Sequence, residues 1–202
     1  MTLLPVLRIG LTGGIASGKS TAAARLGALG ARVVDHDALA RRAVEPGSAA
    51  LADIAGAFGD RVIVDGALDR PALADIVFRD EGARQRLNGI VHPYVIAMGT
   101  AADKQARRDG VAVIVHDIPL LVETGQGADF DLVVTIAAPE EVRVDRLVTT
   151  RGLRRDDAVA RIRAQASDGE RAAAADVVLD GSGSVADLEA QIDSFWSLHV
   201  PR

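Results

Sequence analysis

In the stretch "GLTGGIASGKST", residues 10–21, Gly13, four residues, Gly18, Lys19 and Ser20 satisfy the spacing G-x-x-x-x-G-K-[ST], the phosphate-binding loop. Glycines let the backbone turn its N–H groups inward around a polyphosphate. The helix that follows adds the positive end of its dipole, and the lysine ammonium reaches the terminal phosphates. Gly13, Gly14, Ala16, Ser17, Gly18, Lys19, Ser20 and Thr21 are therefore expected to hold a nucleoside triphosphate, with Ser20 ligating its magnesium ion. The competing account is a glycine-rich turn that ends in Lys-Ser by accident. At this chain's composition such a match arises on the order of one time in a thousand. It would also not require the apolar run "VLRI" before it and the helical pattern "STAAARLGAL" after it.

A triphosphate loop does not say what happens to the phosphate. A guanine-nucleotide switch needs an N-K-x-D base reader, and the sole asparagine, Asn88, is followed by Gly-Ile-Val. A kinase needs a carboxylate near the transferred group, an acceptor pocket and cations that close over the reaction. In "VVDHD", Asp35 and Asp37 fall at the carboxyl end of a strand, where ligands gather in open parallel sheets. At i and i+2 of an extended chain both would face the phosphate, with His36 turned away. Asp37 equally suits a cap for the helix "ALARRAV", and the two roles are compatible. Asp117 closes the apolar run "VAVIVHD" and is either a second magnesium ligand or a solvated strand end. Arginines crowd residues 140–171, as an exposed helical face or as a lid whose guanidinium groups meet phosphate oxygens bidentately.

The elements that must position these residues are legible as alternation. Apolar, β-branched runs at 6–11, 31–35, 111–116, 131–137 and 176–180 read as five strands, separated by stretches with apolar residues three and four apart. Continuous rather than alternating apolar runs predict an α/β fold, a five-stranded parallel sheet covered by helices on both faces. Residues 59–106 read as helical with no good strand, an insertion into a core made of 1–58 and 107–202; the arginine-rich lid spans about 140–171. The tail ends in a helix with Leu188, Ile192 and Phe195 on one face.

Composition narrows the function. The chain has 202 residues, 49% hydrophobic and 3% aromatic, with a net charge of −5, so nothing favours a nucleic-acid partner. It has no cysteine, which excludes disulfides, thiolate metal sites and a catalytic thiol. No apolar run approaches the roughly 18 residues of a membrane span, and the start lacks the pattern of a secretory signal, so a cytoplasmic protein without membrane contact, and a monomer, is expected.

In order and spacing, "LTGGIASGKST", "VVDHDALARRAVEPGSAALADIAGAFG", "DGALDRPALADIVF", "LNGIVHP" and "DIPLLVE" closely resemble dephospho-CoA kinase, from about Ile9 to Asp180. The resemblance implies a P-loop kinase fold and transfer of phosphate from ATP to the ribose 3′-hydroxyl of dephospho-CoA, the last step of coenzyme A synthesis. It also implies that Asp37 accepts or orients the hydroxyl proton and that Lys19 acts on the transferring group. It makes the insertion the acceptor-binding domain, with Arg70 and His92 as acceptor contacts and Pro119, Leu120, Leu121 and Glu123 lining the acceptor pocket. Read without it, Arg70 is equally a helix-face ion pair, and His92, held extended by Pro93, equally satisfies a backbone group. Arg146 and Arg151 match the base and tip of the family's lid, and Arg171 an arginine before the last strand; these three would neutralise ATP's charge, Arg146 catalytically. After "VVLD" the family usually has Asn, whereas this chain has Gly181, which leaves open how adenine is read. The alternatives are a P-loop kinase of another small acceptor, such as a nucleoside monophosphate, and a nucleotide-dependent binding protein.

Overall fold

The computed structural model describes residues 6–200, which form two compact units, one of the chain up to Asp35 and from Asp103 onward, the other of His36–Ala102. In chain order the strands are β1 (Leu7–Gly13), β2 (Arg32–Asp35), β3 (Ile63–Val64), β4 (Ala67–Leu68), β5 (Val113–Asp117), β6 (Leu132–Ala137) and β7 (Val177–Asp180). The helices are α1 (Lys19–Ala28), α2 (His36–Ala43), α3 (Ala49–Phe58), α4 (Arg70–Arg79), α5 (Glu81–Arg108), α6 (Glu140–Arg151), α7 (Arg155–Arg163), α8 (Asp168–Ala173) and α9 (Val185–His199).

The first unit is built on the expected parallel sheet, in the order β2-β5-β1-β6-β7. Central strands flanked on both faces bury most of their side chains, which is why β1, β5 and β6 are dominated by apolar residues with few polar interruptions. One face packs Ile9, Leu11, Val113, Val115, Val134 and Ile136 against Ala22 and Leu26 of α1 and Leu188, Ile192 and Phe195 of α9. Arg25 joins those two helices by a two-pronged bond to Asp193 at 2.7 and 2.6 Å. Two strands run further than their apolar residues indicated: β1 continues to Gly13 and β5 to Asp117. Asp35 and Leu11 flank Asp117 in register on neighbouring strands, so the two strand-end carboxylates stand side by side at the carboxyl edge of the sheet, Asp117 on the strand next to β1.

β5 itself carries a buried polar group. His116, 3% exposed, donates its Nε2–H to Asp103 at 2.7 Å, and Arg8 Nε pairs with the same carboxylate at 3.0 Å. Burial, outweighing the pull of Asp103, holds this imidazole below its usual 6.5. The unfolded chain therefore takes up the proton more readily than the folded one, and stability is lost as pH falls through 6.5 toward the folded value. Denaturant midpoints are expected to drop between about pH 7.5 and 5.5, with part of the drop absent in His116→Gln. Equal drops in both proteins would contradict this.

The second unit has its own core: Ala43 of α2 and Val44 just after it, Ala50, Ile54 and Phe58 of α3, Val62, Leu73 of α4 and Ala83 of α5. Its local rules are clear in the sequence. In "EPGS" the Ser48 N–H bonds the Glu45 carbonyl at 3.0 Å around Gly47 at φ 81°, a Pro-Gly type II turn. Ser48 then caps α3 by accepting the Leu51 N–H, and Asp69 caps α4 by accepting that of Ala72.

Three expectations need correction here. The unit begins at residue 36 and ends at 102, not 59 and 106, because α2 and α3 contribute half of its core. It also contains strands: β3 and β4 form a hairpin whose turn residues Asp65 and Gly66 both have positive φ, the type I′ pattern. Finally, Pro93 lies inside α5, so His92 is helical and exposed rather than extended. A proline costs a helix one N–H, yet here the rest of a 28-residue helix carries it.

Candidate active site

The loop from Gly13 to Gly18 leaves the central strand and enters α1 at Lys19, the position where orphan helix N–H groups favour an anion. Its glycines have steric reasons. A Cβ at Gly13 would lie 2.7 Å from Ser17 Oγ and 2.8 Å from the Ile136 carbonyl, and Gly18, at φ 109°, occupies the left-handed region at the N-cap of α1. Ala16 adopts φ 62° without being glycine. Ser17 is buried, while Ser20 is exposed.

Lys19 Nζ donates to Asp117 Oδ1. The strand-end carboxylate thus serves as the lysine's counter-ion, and the reading of Asp117 as a merely solvated strand end is set aside; its side chain is only 14% exposed. Next to the loop is a cavity of about 350 Å³ lined by Ala16, Gly18, Ser20, Thr21, Arg146 and Arg151 with the 181–188 segment. Arg146 spans its two walls: Nη1 donates to the Ala16 and Ser17 carbonyls at 3.2 and 3.4 Å, Nη2 to those of Ser182 and Gly183 at 3.3 and 3.2 Å. These four carbonyls hold the guanidinium between the loop and the strand-end turn. Arg151 is exposed at the end of α6, where Gly152 caps the helix in the left-handed region.

Arg171 is buried rather than displayed on a lid: Nη2 meets Glu123 at 3.0 Å and Nη1 donates to the Ala166 carbonyl. Glu123, expected to line the acceptor pocket, has its carboxylate committed to Arg171 and to the Ala166 N–H at 2.9 Å. The Pro119 carbonyl accepts from Thr12 Oγ1 at 3.5 Å, Leu121 is fully buried in the core, and Leu120 is half exposed.

Asp37, Arg70 and His92 belong to the second unit. The sheet ends at Asp35 and α2 starts at His36, so the expected i, i+2 alignment of Asp35 and Asp37 on an extended chain does not occur. Asp37 is exposed in the first turn of α2, inside the helix rather than at its cap. Arg70 begins α4 and lines an otherwise apolar cavity of about 240 Å³ with Val44, Ile54, Leu73 and Val91 among others.

Two site residues carry no signal that sequence reasoning used. Arg143, 3% exposed, places Nη1 where a Cβ of Gly14 would be and binds Asp168 at 2.8 Å through Nη2. Gln165 accepts the Ile15 N–H at 2.8 Å. Gly181 is explained as well. A Cβ there would overlap the Ser17 carbonyl, so no asparagine fits. Gly181→Ala is expected to cost about 1–3 kcal/mol, read as a lowered denaturant midpoint; an unchanged midpoint would refute the contact.

The sheet order, the loop and the flanking helices define a P-loop kinase. Shikimate kinase structures share the fold at 15% identity, with a TM-score of 0.54 for that from Acinetobacter baumannii. The family model for dephospho-CoA kinase matches residues 7–187. Curated dephospho-CoA kinases from Leifsonia xyli and Corynebacterium jeikeium are 51% and 48% identical, over 94% and 95% of this chain and 96% and 98% of theirs. A Thermus thermophilus crystal structure aligns at TM-score 0.83 and 37% identity, covering 97% of this chain and 99% of that one. The Campylobacter jejuni dephospho-CoA kinase aligns at 0.71 and 25%, covering 94% and 95%. The chain belongs to the dephospho-CoA kinase family, and its reaction is the ATP-dependent phosphorylation of dephospho-CoA in coenzyme A synthesis.

Proposed function

We propose that the phosphoryl group passes from ATP to the ribose 3′-hydroxyl of dephospho-CoA, with Lys19 on the transferring group and Asp37 accepting or orienting the hydroxyl proton. The observation that carries this reading is the phosphate loop itself, a turn of backbone N–H groups running into α1 with its ammonium held at the sheet's end by Asp117. Its surroundings are rich in donors. Ser17 Oγ, Arg143 Nε and Arg171 Nε are buried without an acceptor among the described residues, a condition that favours a polyanion nearby.

The residues present fit a magnesium ion arriving with ATP. Among the described residues no three His, Asp or Glu side chains converge to hold a metal, and magnesium is commonly held by one or two protein oxygens, substrate phosphates and water. Ser20 supplies such an oxygen on the cavity wall, with Asp117 as the second candidate once Lys19 turns to phosphate. When bound, the ion neutralises charge developing on the phosphate oxygens.

Arg146 and Arg151, on the cavity wall, are assigned to ATP, and Arg171 to the field around the loop. Arg70 and His92 are assigned to the acceptor, as are Pro119, Leu120 and Glu123, the last through the bonds that fix its own segment. Position 181 has no room for a side chain, so no side-chain amide there reads adenine. A monomer working in the cytoplasm suits this reading; among the described residues no helix is long and apolar enough to cross a membrane. An ADP-release assay over a panel of acceptors tests the assignment. Dephospho-CoA should stimulate ATP consumption well above nucleoside monophosphates and shikimate, and equal stimulation by all three would defeat it.

A further inference from the structure

The phosphate loop contains a conformation that its sequence does not favour. Ala16 sits at φ 62°, in the left-handed region where an L side chain is strained, and such a residue persists only where its surroundings hold it. Within the loop one bond closes the turn, from the Ser17 N–H to the Gly14 carbonyl at 3.0 Å. The remaining restraints come from outside. Arg146 of α6 takes the carbonyls of Ala16 and Ser17 on one side of the turn. On the other side, Gln165 accepts the N–H of Ile15, the residue just before Ala16, at 2.8 Å.

Gln165 follows α7 in a short connection to α8 that is itself firmly fixed. The next residue, Ala166, gives its N–H to Glu123 and its carbonyl to Arg171, and Ser167 opens α8 with a capping box closed by Glu170. Asp168 binds the buried Arg143, whose guanidinium packs on Gly14. The carboxamide is thus presented from a braced segment, and Ile15 and Ala16 also pack against Val144, Leu147 and Ile162 of α6 and α7.

We propose that Gln165 is a positioning residue for phosphoryl transfer: by fixing the Ile15 N–H from the braced 165–171 segment, it holds Ala16 in its left-handed state and keeps the loop shaped for phosphate before nucleotide arrives. This rests on the loop being the kinase's ATP site. Gln165 touches no substrate; it acts through the backbone of residues 14–17. Because α6, α7 and the 165–171 segment share these contacts, the arginine-rich region is coupled to the loop mechanically as well as by charge.

The test is a double-mutant cycle on the full chain. Gln165→Met keeps the side chain's length and removes the acceptor; Ala16→Gly removes the left-handed penalty that the acceptor offsets. ADP affinity by calorimetry, kcat, KM for ATP and the melting temperature are measured for the wild type, both single variants and the double. Gln165→Met is expected to weaken ADP binding and lower kcat/KM for ATP by about tenfold with little change in melting temperature, an effect of the size of one lost charge-free hydrogen bond on a ligand-binding loop. In the Ala16→Gly background the same substitution should cost threefold or less. Gln165→Ala repeats the measurement should the methionine variant fold poorly. ADP affinity within twofold of wild type, or an equal loss in both backgrounds, overturns the proposal. Because ADP binding is read without acceptor, a negative result here is separable from failure of the dephospho-CoA assignment, in which ADP binding persists and transfer does not.

Discussion

Replacing Lys19 by methionine is expected to lower turnover by about a hundredfold to a thousandfold, the usual loss when one preorganised donor to a developing oxyanion is removed. The ammonium is the first side-chain cation of α1, at the end of a loop whose other donors are backbone N–H groups and cannot move toward charge as it develops. Its removal has a second consequence. Asp117, 14% exposed, loses its ion pair with Lys19, and removing one member of a largely buried pair is destabilising. The variant should therefore melt earlier as well, and turnover has to be taken per folded molecule. Lys19→Met with turnover within tenfold of wild type would remove the lysine from the chemistry.

Asp37→Asn should be the second large effect, a fall in turnover of about 10²–10⁴ with ATP affinity nearly unchanged, since a proton acceptor works in the transition state and contributes little to binding the donor. The competing role is structural. Asp37 lies in the first turn of α2, where a carboxylate meets the positive end of the helix dipole, a contribution of about 0.3–1 kcal/mol. The two roles separate cleanly. Loss of the dipole contact lowers stability slightly and leaves turnover alone, whereas loss of the proton acceptor does the reverse. Steady-state kinetics and a denaturant curve on the same preparation decide between them.

The sequence carried the sheet and the loop because both are imposed by strong local rules. Parallel strands covered on both faces are near-continuous apolar runs, and a phosphate loop needs glycines where backbone approaches backbone, as at Gly13 against Ile136. The β3–β4 hairpin escaped because its strands are two residues each, too short for alternation to register, although Asp65-Gly66 is a strong two-residue turn signal. At His92 the structure departs from the local pattern for a different reason: the rule that a residue before proline is extended is local, and the rest of α5 overrides it.

The candidate site was legible at its residue types and less so in their roles. Eight positions of the loop, Asp117, Arg146 and Arg171 were all visible as chemistry. That Arg146 joins two loops by their carbonyls, or that Arg171 and Glu123 hold each other, depends on which arginines are buried, and in a helix crowded with arginine nothing in the spacing distinguishes the buried Arg143 from the exposed Arg151. Gln165 has no motif at all, because its function lies in a single bond to a main-chain N–H across 150 residues.

Where the phosphate goes is decided most directly by the structure of the product. The purified chain, incubated with ATP, magnesium and dephospho-CoA, should give ADP and coenzyme A in equal amounts, with phosphorus–proton coupling in the NMR spectrum locating the new phosphate on the ribose 3′ carbon. A phosphate found elsewhere on the acceptor, or ATP left intact beside dephospho-CoA by a protein that still binds ADP, would contradict it.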